Sequence, residues 1–191
     1  MTILIAGLVL FLATHSIRIL AEDWRRAQIA RIGPWPWKGI YSIISIAGVV
    51  LIVLGYGQTQ TQPELWHPPV WMRYATSLFM LVSFVLFAAG YIPRNHIKSA
   101  IGHPMVVGVK VWAFAHLLSN ARLGDLLLFG TFLVWAILDF RAARARDRSS
   151  GQTYAAGTIT GDVAALAVGV IAWFVFARVL HALLIGVPVG M

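Results

Sequence analysis

The sequence predicts an all-α fold, a polytopic bundle of transmembrane helices that forms a single domain over residues 1–191. Hydrophobic residues make up 59% of the chain and charged residues only 12%, about half the charged share of a typical soluble domain. Apolar runs also recur along the chain, each near the roughly 20 residues that a helix needs to cross a bilayer. They fall at about 2–20, 39–57, 71–92, 104–119, 125–140 and 161–185.

The six runs predict about six spans. Five is the alternative, because the fourth and fifth runs are short enough to form a tight hairpin. No Lys or Arg precedes the first run, so it lacks the basic region of a cleaved signal peptide, and we expect a retained helix. The polar segments 55–69 and 141–158 are predicted to be loops, as is the stretch that follows the first run.

Basic residues indicate the orientation, because they gather in alternate loops. These loops contain Arg25, Arg26, Arg31, Lys38, Arg94, Lys98, Arg141, Arg144, Arg146 and Arg148. The other loops contain only Arg73 and Arg122. The excess of positive charge in cytoplasmic loops therefore predicts that both termini lie outside. The net charge of +8 is spread between apolar runs, which predicts contact with anionic membrane lipid and no nucleic-acid binding.

Several classes of site are excluded by composition or by missing motifs. The chain has no cysteine, so disulfides, thiolate nucleophiles and thiolate metal ligands are absent. The HExxH zinc motif, the GxSxG nucleophile motif, the phosphate-binding P-loop and a dinucleotide fingerprint are also missing. A functional site must therefore be built from the polar residues inside the apolar runs.

The fourth run carries a polar stripe. A period of 3.6 residues aligns Met105, Val109, Trp112, His116, Ser119 and Asn120 on one face. This face should point into the bundle, because lipid would leave the imidazole and the amide without partners. One interpretation is a hydrogen bond from His116 to another helix. The other is a ligand for a planar cofactor, since an indole lies one turn away from the imidazole.

The first run carries a second group. His15, Arg18 and Glu22 follow an i, i+3, i+7 spacing and would share one face of a continuous helix. An Arg18–Glu22 pair near the cytoplasmic surface explains two of these residues but not His15, which lies deeper. Near other helix ends, His103 is predicted to be a capping or interfacial residue and His181 to reach the surface, and functional roles for both stay open.

Depth estimates leave His15 and His116 as a candidate pair. Each lies roughly 10 Å from a membrane surface, His15 from the inner one and His116 from the outer one. Their heights then differ by about 8–10 Å, which two imidazoles on opposite sides of one iron can span. No third and fourth ligand for a zinc site is apparent. If a metal is present, haem ligated by two histidines is the simplest arrangement.

Three segments carry a resemblance to a known family. They are THSIR at 14–18, WKGIYSIISIAGVVLIVLGYG, and HPMVVGVKVWAFAHLLSNARLGDLLLFGTFLVWAILD. The chain resembles the NnrU family of bacterial inner-membrane proteins over nearly its whole length. The resemblance implies a multi-pass protein of the inner membrane with a link to denitrification. It also implies a relation to the plant 15-cis-zeta-carotene isomerase, a membrane enzyme that contains haem b.

The resemblance implies haem ligands as well. The two histidines that hold the iron in the isomerase correspond, by matching segments, to His15 and His116. Ala113 stands where the isomerase has a cysteine three residues before its second histidine. Ligand exchange with a thiolate is therefore excluded here, and haem-dependent cis–trans isomerisation stays an open alternative.

The leading hypothesis is a haem b protein whose iron exchanges electrons, responds to nitric oxide or gates the isomerisation of a lipidic substrate. Under this hypothesis Trp112 and Asn120 contact the cofactor, and Arg18 pairs with a haem propionate. The expected partners are membrane lipid, a lipidic or small-molecule substrate, and a respiratory reductase or electron donor.

Two other functions remain open. The segment GHPMVVG resembles the RHPxYxG motif of isoprenylcysteine and phospholipid methyltransferases, with Gly102 in place of the Arg and Val106 in place of the Tyr. A shared scaffold would explain this similarity without the activity. The third function is a non-enzymatic assembly factor for a respiratory reductase, in which the polar residues only hold helices together.

Overall fold

The computed structural model describes residues 1–186 and 189, and every regular element in that part of the chain is helical. The helices are α1 Thr2–Leu20, α2 Glu22–Ile32, α3 Pro34–Gly57, α4 Trp71–Tyr91, α5 His96–Ile101, α6 Pro104–Ser119, α7 Leu123–Ser150, α8 Ile159–Val175 and α9 His181–Ile185. A π-helical turn, Phe176–Leu180, joins α8 to α9.

Five helical segments are long and apolar enough to cross a bilayer. They are α1, α3, α4, α7 and the continuous segment Ile159–Ile185. The fourth apolar run forms α6, whose 16 residues extend about 24 Å, less than a hydrocarbon core of about 30 Å. Large apolar side chains such as Ile43 and Ile46 are exposed on α3, as expected of a lipid-facing surface. The prediction of an all-α, multi-pass membrane bundle is confirmed.

The helices pack in a definite order around α7. α1 packs between α3 and α7, α6 packs between α7 and α4, and α8 packs against α4. The resulting order is α3–α1–α7–α6–α4–α8. Buried apolar residues from α1, α3, α6 and α7 form the central core, which contains Leu4, Leu8, Ile52, Ala113, Leu128 and Phe129.

Two segments that the sequence predicts as loops are wholly or partly helical. The chain turns at Ala21 and then forms α2, with acidic residues in its first turn and Arg31 in its last, as the helix dipole favours. α7 continues past residue 140 to Ser150, because the sequence RAARAR is rich in strong helix formers. It ends at Gly151, which has a φ of 63°.

The basic loops gather at one end of the bundle, which we term the basic end. There the Arg146 guanidinium donates a hydrogen bond of 3.3 Å to the Arg18 carbonyl, and the Thr158 N–H donates to the Arg94 carbonyl. At the opposite end the Leu65 N–H donates to the Ala121 carbonyl. The basic residues therefore share one end, as predicted, and the assignment of that end to the cytoplasm stays a prediction.

Candidate functional site

A cavity of about 570 Å³ lies toward the opposite end, among α3, α4, α6, α7 and the α8–α9 segment. We term it the His116 cavity. Its volume is within the range of about 300–1,000 Å³ that small-molecule and cofactor sites have. From α6 it is lined by Trp112, His116, Ser119 and Asn120. The polar part of the predicted stripe thus faces the interior of the bundle.

The orientation of the His116 ring is fixed by its own helix. Its Nδ1 lies 2.9 Å from the Trp112 carbonyl oxygen. Because a carbonyl only accepts hydrogen bonds, Nδ1 carries the proton in the neutral ring, and the lone pair is on Nε2. The Phe129 ring stacks on the imidazole with centroids 4.5 Å apart. Histidines that ligate metals are commonly held in this way, with the other ring nitrogen bonded to a backbone carbonyl.

Trp112 and Asn120, both predicted cofactor contacts, line the same cavity as His116. The indole centroid lies 5.5 Å from that of the imidazole and 5.1 Å from that of Phe129, so Trp112 forms part of an aromatic wall. The Asn120 side-chain amide donates 2.8 Å to the His116 carbonyl. Asn120 therefore satisfies a carbonyl at the end of α6 while it borders the cavity.

His181 lies in the same cavity because of the π-helical turn. The His181 backbone N–H donates to the Phe176 carbonyl, five residues earlier, as a π-helix requires. This wider turn places Phe176 and His181 on one face, with ring centroids 5.9 Å apart, and both line the His116 cavity. In a regular α-helix, residues five apart diverge by about 140°. His181 is half-buried there, and its reach to the surface stays a prediction.

Charged residues border this cavity near the end of the bundle. Arg73 from α4 and Arg122 both line it, and the Arg122 guanidinium lies 3.2 Å from the Glu64 carboxylate. Asp125 is fully buried beside them. Its carboxylate accepts hydrogen bonds from the Tyr56 hydroxyl at 2.7 Å and from the Arg122 backbone N–H at 2.8 Å. These bonds tie the end of α3 to the start of α7.

A second cavity, of about 620 Å³, lies at the basic end among α1, α2, α3, α6 and α7. We term it the His15 cavity. His15 and Arg18 both line it, so the structure brings together these two predicted site residues. The His15 Nδ1 lies 2.8 Å from the Phe11 carbonyl oxygen, and its ring stacks on that of Phe11 at 3.9 Å.

The predicted Arg18–Glu22 pair is wrong, because the helix turns at Ala21 and α1 does not continue into the position of Glu22. The Glu22 carboxylate accepts hydrogen bonds of 3.1 Å from Arg25 and from Arg26 instead. Burial raises the pKa of Glu22, but the Arg26 hydrogen bond and the charges of Arg25 and Arg18 outweigh it and hold that pKa below its usual value.

The structure does not bring His15 and His116 together. They line different cavities that have no lining residue in common. Aromatic rings fill the space between the two histidines. The Phe132 ring centroid lies 5.6 Å from that of Phe11, which stacks on His15, and 5.3 Å from that of Trp112. One porphyrin between these two histidines does not fit this arrangement, and their joint ligation of an iron stays a prediction. No three His, Asp or Glu side chains of the described residues form a metal-binding group.

His103, whose role the sequence leaves open, borders the His15 cavity and belongs to a polar cluster. The Asp147 carboxylate lies 2.9 Å from the His103 Nε2 and accepts a hydrogen bond of 2.8 Å from the Tyr154 hydroxyl. Burial, the hydrogen bond and the negative charge of Asp147 together raise the pKa of Tyr154 to about 12. His103, the histidine of GHPMVVG, is thus part of a hydrogen-bonded cluster with Asp147 and Tyr154 at the basic end.

Asp139 is a residue that the sequence analysis missed. It lies inside the fifth apolar run and lines the His15 cavity together with Tyr41. The signal was present, because an ionisable residue inside a membrane helix is costly and usually functional. His181 was placed near a helix end by the sequence but not beside His116, since its position in the cavity depends on the tertiary structure.

The family model described as NnrU protein matches residues 3–189, nearly the whole chain. The chain therefore belongs to the NnrU family. No curated protein and no solved structure matches it.

Proposed function

We propose that this member of the NnrU family is a membrane haem protein and that it holds haem b in the His116 cavity. The observation that supports this proposal is the imidazole of His116, which is fixed through Nδ1 and borders a cavity of cofactor size. An ionisable side chain at membrane depth costs free energy, so its presence there indicates a function. Trp112 and Phe129 add flat aromatic surfaces beside it, which suit a planar macrocycle.

His181 would hold the haem iron together with His116, because it lines the same cavity from the α8–α9 segment. The family resemblance implies His15 for this role. That pairing requires the rings of Phe11 and Phe132 to move out of the interval that they now fill. We therefore favour the pair within one cavity, and the two pairs differ in a simple mutational test.

Two guanidinium groups suit the propionates of a haem. Arg73 and Arg122 line the cavity near the end of the bundle, where the charged edge of a haem would meet water. Guanidinium groups bind carboxylates through paired hydrogen bonds. The sequence analysis assigns this role to Arg18, which lines the other cavity.

A haem held by these nitrogen ligands would supply electron transfer and a binding position for nitric oxide. The aromatic walls of Trp112 and Phe129 would keep water away from this group, and their apolar surroundings would help set its potential. We propose a role in nitrogen-oxide metabolism at the bacterial inner membrane, with a respiratory reductase or another electron donor as the partner. Ala113, fully buried in the core, offers no side-chain ligand, so thiolate-dependent isomerisation is not part of the proposal.

The test is an absorption spectrum of the detergent-purified protein from haem-replete cells, recorded as isolated and after reduction with dithionite. We expect a Soret band and sharp reduced α and β bands, which His116→Ala abolishes. His67→Ala is the matched control, because His67 is exposed and pairs only with Glu64 among its described contacts. A flat visible spectrum of the wild type would overturn the proposal. Unchanged bands in His116→Ala with a lower yield would support a purely structural histidine.

A further inference from the structure

The His15 cavity has two layers. Its deep layer contains His15, Tyr41, Trp135 and Asp139, and its mouth lies at the basic end. Asp139 precedes Arg146 by seven residues on α7, so the carboxylate lies about 10 Å deeper in the membrane than the guanidinium. The cavity is therefore acidic at depth and strongly basic at its mouth.

Four cations converge on the mouth, each from a different helix: Arg18 from α1, Arg25 from α2, Lys38 from α3 and Arg146 from α7. The general excess of basic residues in cytoplasmic loops explains why this end is basic. It does not explain why these four meet at one cavity, while Arg31, Arg141 and Arg148 lie elsewhere on the same end.

Three of the four cations have no carboxylate partner within 4 Å among the described residues. Only Arg25 has one, in its ion pair with Glu22. The Lys38 ammonium lies 4.9 Å from the Trp35 ring centroid, and Arg146 donates to the Arg18 carbonyl. Glu22, whose carboxylate interacts with both Arg25 and Arg18, and Asp139 in the deep layer offset two of the four positive charges, and the remaining positive excess favours a bound anion.

We propose that the mouth of the His15 cavity binds the phosphate group of an anionic membrane phospholipid. Basic cavities between transmembrane helices at the cytoplasmic side are suited to such headgroups. A phosphate offers several acceptor oxygens to the guanidinium groups of Arg18 and Arg146. The carboxylate of Asp139 repels an anion from the deep layer, so the phosphate stays at the level of the lipid headgroups. This site is separate from the proposed haem site in the His116 cavity.

The experiment measures retained lipid. The protein is placed in nanodiscs of phosphatidylcholine and phosphatidylglycerol, extracted in mild detergent and analysed by native mass spectrometry. The wild type is expected to retain phosphatidylglycerol in preference to phosphatidylcholine. The triple variant Arg18→Gln, Lys38→Gln, Arg146→Gln should lose this preference by about tenfold or more, since each charge-assisted bond is substantial.

A matched triple variant is the control. Arg31→Gln, Arg141→Gln, Arg148→Gln removes the same charge from the same end but leaves the cavity mouth intact, and it should retain the lipid. Equal loss in both triples would overturn the proposal in favour of general surface attraction. The single variant Lys38→Gln tests the site if the triple fails to fold, because among the described residues the Lys38 side chain has only its contact with Trp35 of the same helix. Retention equal to wild type would overturn the proposal.

Two further arms identify the ligand and separate this proposal from the haem site. Inorganic phosphate is added as a competitor, and displacement of the lipid at millimolar phosphate would show that the site takes the free anion. The haem content of the triple variant is also measured. A loss of haem with unchanged lipid would assign the basic mouth to haem propionates and overturn the lipid proposal. If both proposals hold, His116→Ala should lose haem and retain lipid. A wild type that retains lipid but contains no haem would overturn the haem proposal alone.

Discussion

The two cavities contain histidines with closely similar local geometry in very different surroundings. In each, Nδ1 lies within 2.9 Å of the carbonyl four residues earlier, and a phenylalanine ring stacks on the imidazole, Phe129 on His116 and Phe11 on His15. The cavity mouths differ. Four cations border the mouth at the basic end, whereas the His116 cavity has Arg73 and an Arg122 that pairs with Glu64. A helical histidine thus does not define a site; its neighbours from other helices do.

The second difference concerns what holds each cavity open. One wall of the His116 cavity is the α8–α9 segment, which packs mainly on α4. The His15 cavity lies among α1, α2, α3, α6 and α7, and none of its described lining residues belongs to α4 or α8. A change at the α4–α8 contact should therefore affect one cavity and leave the other intact.

The largest effect is expected from Gly169→Ala. A Cβ at Gly169 would lie 2.6 Å from the Val85 Cα, so α8 must move away from the α4 backbone. Such overpacking typically costs about 1–3 kcal/mol. We expect a lower melting temperature and weaker haem bands, with lipid retention at the basic end unchanged. Gly130→Ala on α7, where a Cβ meets open space, is the control. Equal melting curves for the two variants would contradict the proposed role of this contact.

A smaller effect that is still confined to the His116 side is expected from Asp125→Ala. This change leaves the Tyr56 hydroxyl and the Arg122 N–H without their acceptor; because both bonds are only part-buried and water can replace them, the loss of each should cost about 0.5–1 kcal/mol. Tyr56→Phe, which removes only one of the two bonds, should cost less. Thermal unfolding in detergent measures both. If Tyr56→Phe proved more costly than Asp125→Ala, the carboxylate would not be the centre of this network.

The smallest effect belongs to the basic end and depends on pH. The pKa of Tyr154 is about 12, above the value of about 10 of an unfolded tyrosine. Its contribution to stability is therefore fully present below about pH 10 and is lost as the pH rises through 12. The tyrosinate absorbance of the wild type minus that of Tyr154→Phe should titrate near 12. A difference titration centred near 10 would show that the Tyr154 hydroxyl does not bond to Asp147.

Hydropathy predicted that all six apolar runs are helical segments of a membrane bundle. It could do so because the free energy of transferring each residue into lipid depends on that residue alone. α2 was missed, since it is neither apolar nor strongly periodic, and the end of α7 was placed too early because its last turns are polar. The π-helical turn at Phe176–Leu180 was missed as well. A π-helical turn has no characteristic composition, so no pattern in the sequence indicates it.

The candidate site was predicted only in part, for a geometric reason. Helical periodicity correctly grouped Trp112, His116 and Asn120 on one face, since that grouping needs only one helix. The estimated depths of His15 and His116 in the membrane allow a shared iron. Depth along the membrane normal, however, does not indicate how far apart two helices lie in the membrane plane. In the structure α7 packs between α1 and α6, and its Phe132 ring lies in the interval.

The central claim is that the His116 cavity is a complete haem site without His15. The most direct test compares the reduced absorption spectra of His181→Ala and His15→Ala, both purified with the wild type. We predict that His15→Ala keeps the sharp α and β bands and that His181→Ala replaces them with the broad band of a haem that has lost one axial ligand. The reverse result, with the bands lost in His15→Ala and kept in His181→Ala, would contradict the account and restore the pair His15 and His116.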